Sequence, residues 1–290
     1  MTTVPTFPDI RHLVATWLAE DIGRGDVTTS SVVPADVFGG AYIEAREPCI
    51  VAGMAAAALC FELTAERFEG TLEFKEIVGD GARVDAGDVI ARIEGPLAPI
   101  LTAERTALNL LARLCGVATI TRRYVDAIDG TKARIVDTRK TTPGLRSLQK
   151  YAVTVGGGSN HRFGLDDGIL IKDNHLVAAG GVTDALKLAR SSSPHGLRIE
   201  VEVSTPEELR EVLDEGAEAI LLDNMTPETV AEAVRITAGR ALLEVSGGIN
   251  LDTVRSYAMT GVDLISVGAL THSAPSIDLA LELLAPETED

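Results

Sequence analysis

The chain has 290 residues, 46% hydrophobic and 24% charged, long enough for one large core or two ordinary ones. Its formal net charge of −17 excludes a general nucleic-acid or anionic-membrane surface. Cys49, Cys60 and Cys115 are widely spaced with no CxxC, which fits reduced thiols better than a disulfide frame or zinc site. No basic-then-apolar leader and no apolar run of membrane-spanning length is legible, so the expectation is a soluble cytoplasmic protein.

In chain order, residues 8–23 (PDIRHLVATWLAEDIG) place Ile10, Leu13, Val14, Trp17 and Leu18 at helical spacing. Strands are predicted over 41–53, 71–78 and 88–95, with Gly-Asp turns between the last two and a helix over 54–64. A helix over 102–119 begins with Thr102 as its cap and carries Leu108, Leu111 and Leu114 on one face. The pattern then changes. Apolar runs at 133–140, 168–175, 198–204, 217–224, 241–248 and 262–269 alternate with capped amphipathic helices. Thr205-Pro206-Glu207-Glu208 supplies an N-cap, a first-turn Pro and a capping-box Glu. Thr226-Pro227-Glu228 opens the next helix, and Asn250 with Asp252 another. A strand-plus-helix repeat of roughly two dozen residues predicts successive βα units, arranged as a barrel rather than an open sheet.

The strands carry polar residues at one end only. Lys172 follows GILI, Asp223 follows AILL, Ser246-Gly247-Gly248 follows LLEV, and Ser266-Val267-Gly268 follows DLI. Glu200 and Glu202 alternate with valines and so share a strand face. These are C-terminal strand ends, where barrel enzymes place their sites. Asp and Ser there also serve as ordinary helix caps, but a Lys and two Glu do not cap, and inward charges need partners or a ligand. Glycine at the last two ends either permits a tight turn or lets a phosphate approach the backbone at a helix N-terminus. From Lys132 to Lys172 there are eight Lys or Arg against three Asp, a local charge of +5 in an acidic chain. The triple glycine of GGGSNHRFG matches no nucleotide fingerprint. It does place His161 and Arg162 on a backbone that approaches a ligand closely.

DTRKTTPGLR, GGGSNHR, LIKDNH, EVEV, LLDN, EVSGGI and ISVGALTHSAPSIDL, in this order, resemble the quinolinate phosphoribosyltransferases. EDIGRGDVTT and ERTALNLLARLCGVAT resemble the N-terminal part of the same family, so the likeness covers nearly the whole chain. One departure is Cys115, where the family more often has Ser, with an effect expected on packing only. The resemblance implies an N-terminal α/β sandwich at 1–115, with the tail 275–290 packed on it, and a C-terminal incomplete α/β barrel at 116–274, assembled as a homodimer. It implies phosphoribosyl transfer from phosphoribosyl pyrophosphate to quinolinate with Mg²⁺, giving nicotinate mononucleotide, pyrophosphate and CO₂ for NAD synthesis.

By the same resemblance, Arg139, Arg162 and Lys172 hold the quinolinate carboxylates with His161 beside them. Arg105 is a fourth clamp from the second subunit; its place near a helix N-terminus is unfavourable unless an outside anion faces it. Lys140 beside Thr138 takes the pyrophosphate. Glu202 and Asp223 hold ribose hydroxyls or Mg²⁺, and Ser246, Gly247, Gly248, Val267, Gly268 and Ala269 receive the 5′-phosphate. The catalytic set is Lys140, Lys172, Glu202 and Asp223. Three alternatives stay open: a transferase of the same fold for nicotinate or another heteroaromatic acid, a lipoyl-like carrier hairpin in VGDGARVDAGDVIARIEG, and a barrel that binds a metabolite without turnover. The hairpin has no Lys in its turn, Val84-Asp85-Ala86-Gly87, to carry a prosthetic group.

Overall fold

The protein is described from a computed structural model covering residues 10–284. Residues 8–9 of the first predicted helix and 285–290 of the tail lie outside the described residues. The elements run α1 (Ile10–Ile22), α2 (Val27–Val32), β1 (Phe38–Ala45), β2 (Cys49–Ile50), α3 (Met54–Arg67), β3 (Glu73–Glu76), β4 (Arg83–Val84), β5 (Val89–Pro96) and α4 (Leu97–Ala127). Then come β6 (Arg134–Val136), α5 (Arg146–Val155), β7 (Ile169–Ile171), α6 (Asp173–Ala179), α7 (Val182–Ser192), β8 (Ile199–Val203), α8 (Pro206–Asp214) and β9 (Ala219–Asp223). The last are α9 (Pro227–Thr237), β10 (Leu242–Ser246), α10 (Val254–Ala258), β11 (Leu264–Ser266), α11 (Ala269–His272) and β12 (Leu279–Leu283). The described residues form two compact units, one of residues 10–120, 147–156 and 274–284, the other of 121–146 and 157–273.

The first unit is an α/β sandwich on an antiparallel sheet in the order β12-β1-β5-β3. Alternation in β1 buries Ala41, Ile43 and Ala45, and the register sets Ala41 opposite Ile93 and Ile43 opposite Ala91. Helix α3 contributes Cys60 and Phe61 to the core, and Phe61 stacks on Phe74 of β3 at 5.7 Å. The predicted strand 41–53 is broken into β1 and β2 around Pro48, which has no N–H to give a ladder. The lipoyl-like segment is β4 and β5, built into pairs with β2, β1 and β3.

Helix α4 begins at Leu97, not at Thr102. The Thr102 hydroxyl is occupied elsewhere, donating to Asp26 Oδ2 at 3.2 Å, while Asp26 accepts the Thr29 N–H at 2.9 Å and caps α2. Arg105 therefore lies inside a long helix, away from its positive end, and the helix dipole raises no objection to it. The Ala52 N–H points at Cys115 Sγ at 3.3 Å, so this cysteine makes a polar contact as well as packing, beyond the effect expected from sequence. Near it, the chain returns across α4: Arg113 donates to Ala274 O at 2.5 Å and the Ile277 N–H to Ala112 O at 3.0 Å. A Cβ on Gly116 would stand 1.8 Å from the Pro275 carbonyl oxygen, so only glycine fits. Gly116→Ala is expected to cost about 2 kcal/mol or more and to lower Tm by roughly 5 °C. A thermal melt within 1 °C or so of wild type, by the same scale, would contradict that packing.

The second unit holds a six-stranded parallel sheet in the order β6-β11-β10-β9-β8-β7. Strand interiors such as Val201, Ile220, Val245 and Ile265 are fully buried, as a helix-covered parallel sheet requires. The caps of α8 and α9 form as predicted: the Glu208 N–H donates to Thr205 Oγ1 at 3.2 Å, and the Thr229 N–H to Thr226 Oγ1 at 3.4 Å. Asn250 instead closes a turn, its Oδ1 accepting from the Asp252 and Thr253 N–H groups, and α10 starts only at Val254. Strands β6 and β7 do not pair. Beside β6, among the described residues, the ring is extended only by Ser159, which bridges Val136 in parallel. The barrel is thus incomplete, with a seam between the 157–162 segment and β7.

Candidate active site

One cavity of about 350 Å³ is lined by residues on or just past all six strands, so the sheet curls around it. Walking round from the seam, the strands present Lys172 after β7, Glu202 on β8, Asp223 on β9, Ser246 on β10, Ser266 on β11, and Thr138, Arg139 and Lys140 after β6. His161 and Arg162, on the segment beside β6, return to the seam. Sheet order, not chain order, sets this layout. Arg139, Arg162 and Lys172 flank the seam, while Glu202 and Asp223 occupy the wall beyond Lys172.

The cations are held by the backbone around them. Asp137, fully buried, accepts the His161 N–H at 2.9 Å and Asn160 Nδ2 at 2.6 Å, tying the glycine-led segment to the end of β6. The Arg162 N–H donates to His161 Nδ1 at 2.7 Å, and Arg162 Nη1 donates to Gly168 O at 2.9 Å. Arg139 Nε and Arg162 Nε are buried without a hydrogen-bond partner. Burial, and after it the charge of Arg139, pushes the Arg162 guanidinium below its ordinary pKa. Two arginines crowded together with unsatisfied donors are an arrangement that an anion completes.

Lys172 Nζ donates to Glu202 Oε2, so this Lys and one of the acids arrive as a pair. Lys140 is exposed, its carbonyl accepts the Thr271 hydroxyl at 2.9 Å, and its N–H donates to Thr138 Oγ1 at 3.1 Å. A Cβ on Gly268 would meet Lys140 Cδ at 3.1 Å, so the lysine stem passes over this glycine. Gly247 has φ +105° and a Cβ there would stand 2.2 Å from Asn224 Oδ1, while Gly248, at φ +62°, faces open space. The Val267 N–H is committed to Val136 O at 3.0 Å in the ladder, which leaves Gly268 and Ala269 as the parts of that loop past the strand. Among the residues expected from sequence, Thr138 to Lys140, His161, Arg162, Lys172, Glu202, Asp223 and Ser246 line one cavity. Arg105 belongs to the first unit, its side chain 63% exposed and 3.6 Å from Glu104.

Sequence reasoning missed Asp137 and Glu244. Glu244 is 1% exposed, accepts the Ser266 hydroxyl, and stands 3.6 Å from His161 Nε2, whose nearer partner is Glu200 at 3.1 Å. The signal was available: an acid in the apolar run ALLEVS, two residues before a strand-end serine, repeats the alternation read in EVEV.

Comparison with known proteins agrees with this geometry. Residues 26–115 match the family described as quinolinate phosphoribosyl transferase, N-terminal domain, and residues 117–282 its C-terminal domain. A nicotinate-nucleotide pyrophosphorylase [carboxylating] of Mycobacterium leprae is 46% identical over 283 residues, covering 96% of this chain and 98% of that protein. A probable nicotinate-nucleotide pyrophosphorylase [carboxylating] of Bacillus subtilis is 44% identical over 278 residues, covering 94% and 93%. The solved structure of the nicotinate-nucleotide pyrophosphorylase from Francisella tularensis superposes with a TM-score of 0.90 at 38% identity, covering 97% of this chain and 99% of that one. The chain belongs to the quinolinate phosphoribosyltransferase family.

Proposed function

We propose that the chain transfers the phosphoribosyl group of phosphoribosyl pyrophosphate to quinolinate and releases pyrophosphate and CO₂, forming nicotinate mononucleotide for NAD synthesis. The observation that carries this reading is the Arg139–Arg162 pair with two buried, unpartnered Nε donors beside Lys172. A pyridine with two adjacent carboxylates offers the two charges and the acceptors that this cluster lacks.

In this reading Arg139, Arg162 and Lys172 hold the acid with its ring nitrogen towards the sugar, and His161 supports Arg162 from behind. Lys140, passing over Gly268, neutralises the departing pyrophosphate, with Thr138 turning its backbone. Ser246, Gly247 and Gly248, with Gly268 and Ala269, receive the 5′-phosphate. Glu202 and Asp223 bind ribose hydroxyls and favour the positive charge that grows at the anomeric carbon. The ring nitrogen bonds to that carbon as the C–O bond to pyrophosphate breaks. The resulting pyridinium accepts the electron pair left on the neighbouring carbon when CO₂ departs, and that carbon takes up a proton. No protein nucleophile is needed, so positioning and charge neutralisation supply the catalysis.

Mg²⁺ suits this donor set: it is held by one or two carboxylates together with substrate phosphates, and Glu202 and Asp223 sit on neighbouring strands of the same cavity. Bound there with the sugar pyrophosphate, it would neutralise phosphate charge. A homodimer completes the reading, with the exposed Arg105 reaching the acid site of a second copy. Cytoplasmic residence fits three cysteines that are buried free thiols; no helix among the described residues is long and apolar enough to cross a membrane.

The test is a coupled assay with phosphoribosyl pyrophosphate and Mg²⁺. Quinolinate is expected to yield CO₂ and pyrophosphate in equal amounts, with nicotinate a poor substrate. Faster turnover of nicotinate, or pyrophosphate without CO₂, would transfer the assignment to a monocarboxylate enzyme of the same fold.

A further inference from the structure

Beneath the acid site lies a pair of carboxylates that the reaction above does not use. Glu200 and Glu244 converge on one imidazole, with His161 Nε2 at 3.1 Å from the first and 3.6 Å from the second. His161 Nδ1 already accepts the Arg162 N–H, which leaves Nε2 alone to face the two carboxylates. One N–H cannot satisfy two ionised carboxylates, and both side chains are nearly closed to solvent, at 10% and 2% exposure. The elements packed around Glu244 offer it little relief. Glu200 faces it from β8, Asp137 from the end of β6, and His161 and Arg162 from the segment before β7. The Ser266 hydroxyl faces it from β11, and Leu221 stands opposite in register on β9.

The same residues form a partition. Glu244, His161 and Arg162 line the reaction cavity and also a second cavity of about 310 Å³ at the opposite ends of the strands, walled by Ile169, Ala219, Leu242 and Leu264. Glu244 thus borders a space at the far end of the barrel as well as the reaction cavity.

We propose that Glu244 determines how tightly the site holds its dianionic substrate: as a neutral acid it adds no charge under the cavity floor, and its ionisation adds a negative charge that repels the substrate's carboxylates. Burial, and then the charge of Glu200, push this carboxyl up to about 7, so the change falls in the neutral range. Glu244 acts through the field it sets and through His161, without touching the substrate. The inference rests on the quinolinate reading above and names a determinant of its affinity.

Quinolinate binding by titration calorimetry between pH 6 and 8.5, without the sugar substrate, separates the two. For the wild type, Kd is expected to rise roughly tenfold as Glu244 ionises, the size of one charge–charge interaction across a partly buried cavity. In Glu244→Gln, which keeps the shape and cannot ionise, Kd should stay near the low-pH value throughout. Ser266→Ala removes the hydroxyl that favours the ionised form, so the rise should move to higher pH. This second variant decides the matter if circular dichroism shows Glu244→Gln unfolded. A flat wild-type Kd, the same rise in Glu244→Gln, or an unmoved rise in Ser266→Ala overturns the proposal. Wild-type binding with this pH dependence but no CO₂ release would leave it standing and refute the assigned reaction; no binding at any pH refutes both.

Discussion

Lys140→Ala is expected to cut turnover by roughly a thousandfold or more while Tm stays within about 2 °C of wild type. The two halves of that expectation come from different features. The side chain is exposed and its stem crosses Gly268 without an ion pair among the described contacts, so its removal leaves no buried cavity or orphaned partner. Its backbone is held independently of its ammonium by the Thr271 hydroxyl and by Thr138. The lysine is thus a fixed cation with little structural duty. If it meets the leaving pyrophosphate, its interaction strengthens as that group gains charge, and the loss appears in kcat. An effect confined to KM, or a rate within about tenfold of wild type, would remove Lys140 from the leaving-group side of the reaction.

The second large effect separates function from stability in the opposite sense. Arg139→Met keeps an unbranched apolar stem and deletes a guanidinium whose buried Nε has no partner and whose charge opposes that of Arg162. Each charge-assisted bond to a carboxylate is worth roughly 1.5–3 kcal/mol, so the KM for quinolinate should rise about 10- to 150-fold. The free protein, relieved of repulsion and of an unsatisfied donor, should be as stable as wild type or more so by about 1 kcal/mol. Steady-state kinetics and a denaturant titration on one preparation check both. A variant that loses stability along with affinity would show that Arg139 holds the fold together and is not strained in wait for an anion.

The parallel half of the fold was legible because each of its signals is local. The apolar runs, the Thr205 and Thr226 caps and the one-ended polarity of the strands all act within a few residues. The first unit was harder. Thr102 looks like a cap in sequence, but its hydroxyl serves Asp26, 76 positions away, and α4 starts a turn earlier. Helix α5 went unread although its apolar residues recur at helical spacing; Gln149 and Lys150, which look like surface residues in sequence, are buried. Strand β12 was missed because it is defined by its pairing with β1 at the other end of the chain. In the site, the cations were readable because they break the acidic background. Asp137 gave no such contrast, and the alternation that marks Glu244 in ALLEVS was legible but went unread.

The seam in the barrel has a consequence for how substrate choice can change. In a closed ring, shifting one strand re-registers both neighbours. Here Arg139, Arg162 and Lys172, the cations proposed to grip the acid, flank a break beside which, among the described residues, Ser159 bridges into the ladder. The 157–162 segment can re-aim Arg162 while β8 to β11 keep in place the wall proposed to take the sugar and phosphate. On the proposed reading, the half that recognises the acid can change independently of the half that recognises the activated sugar.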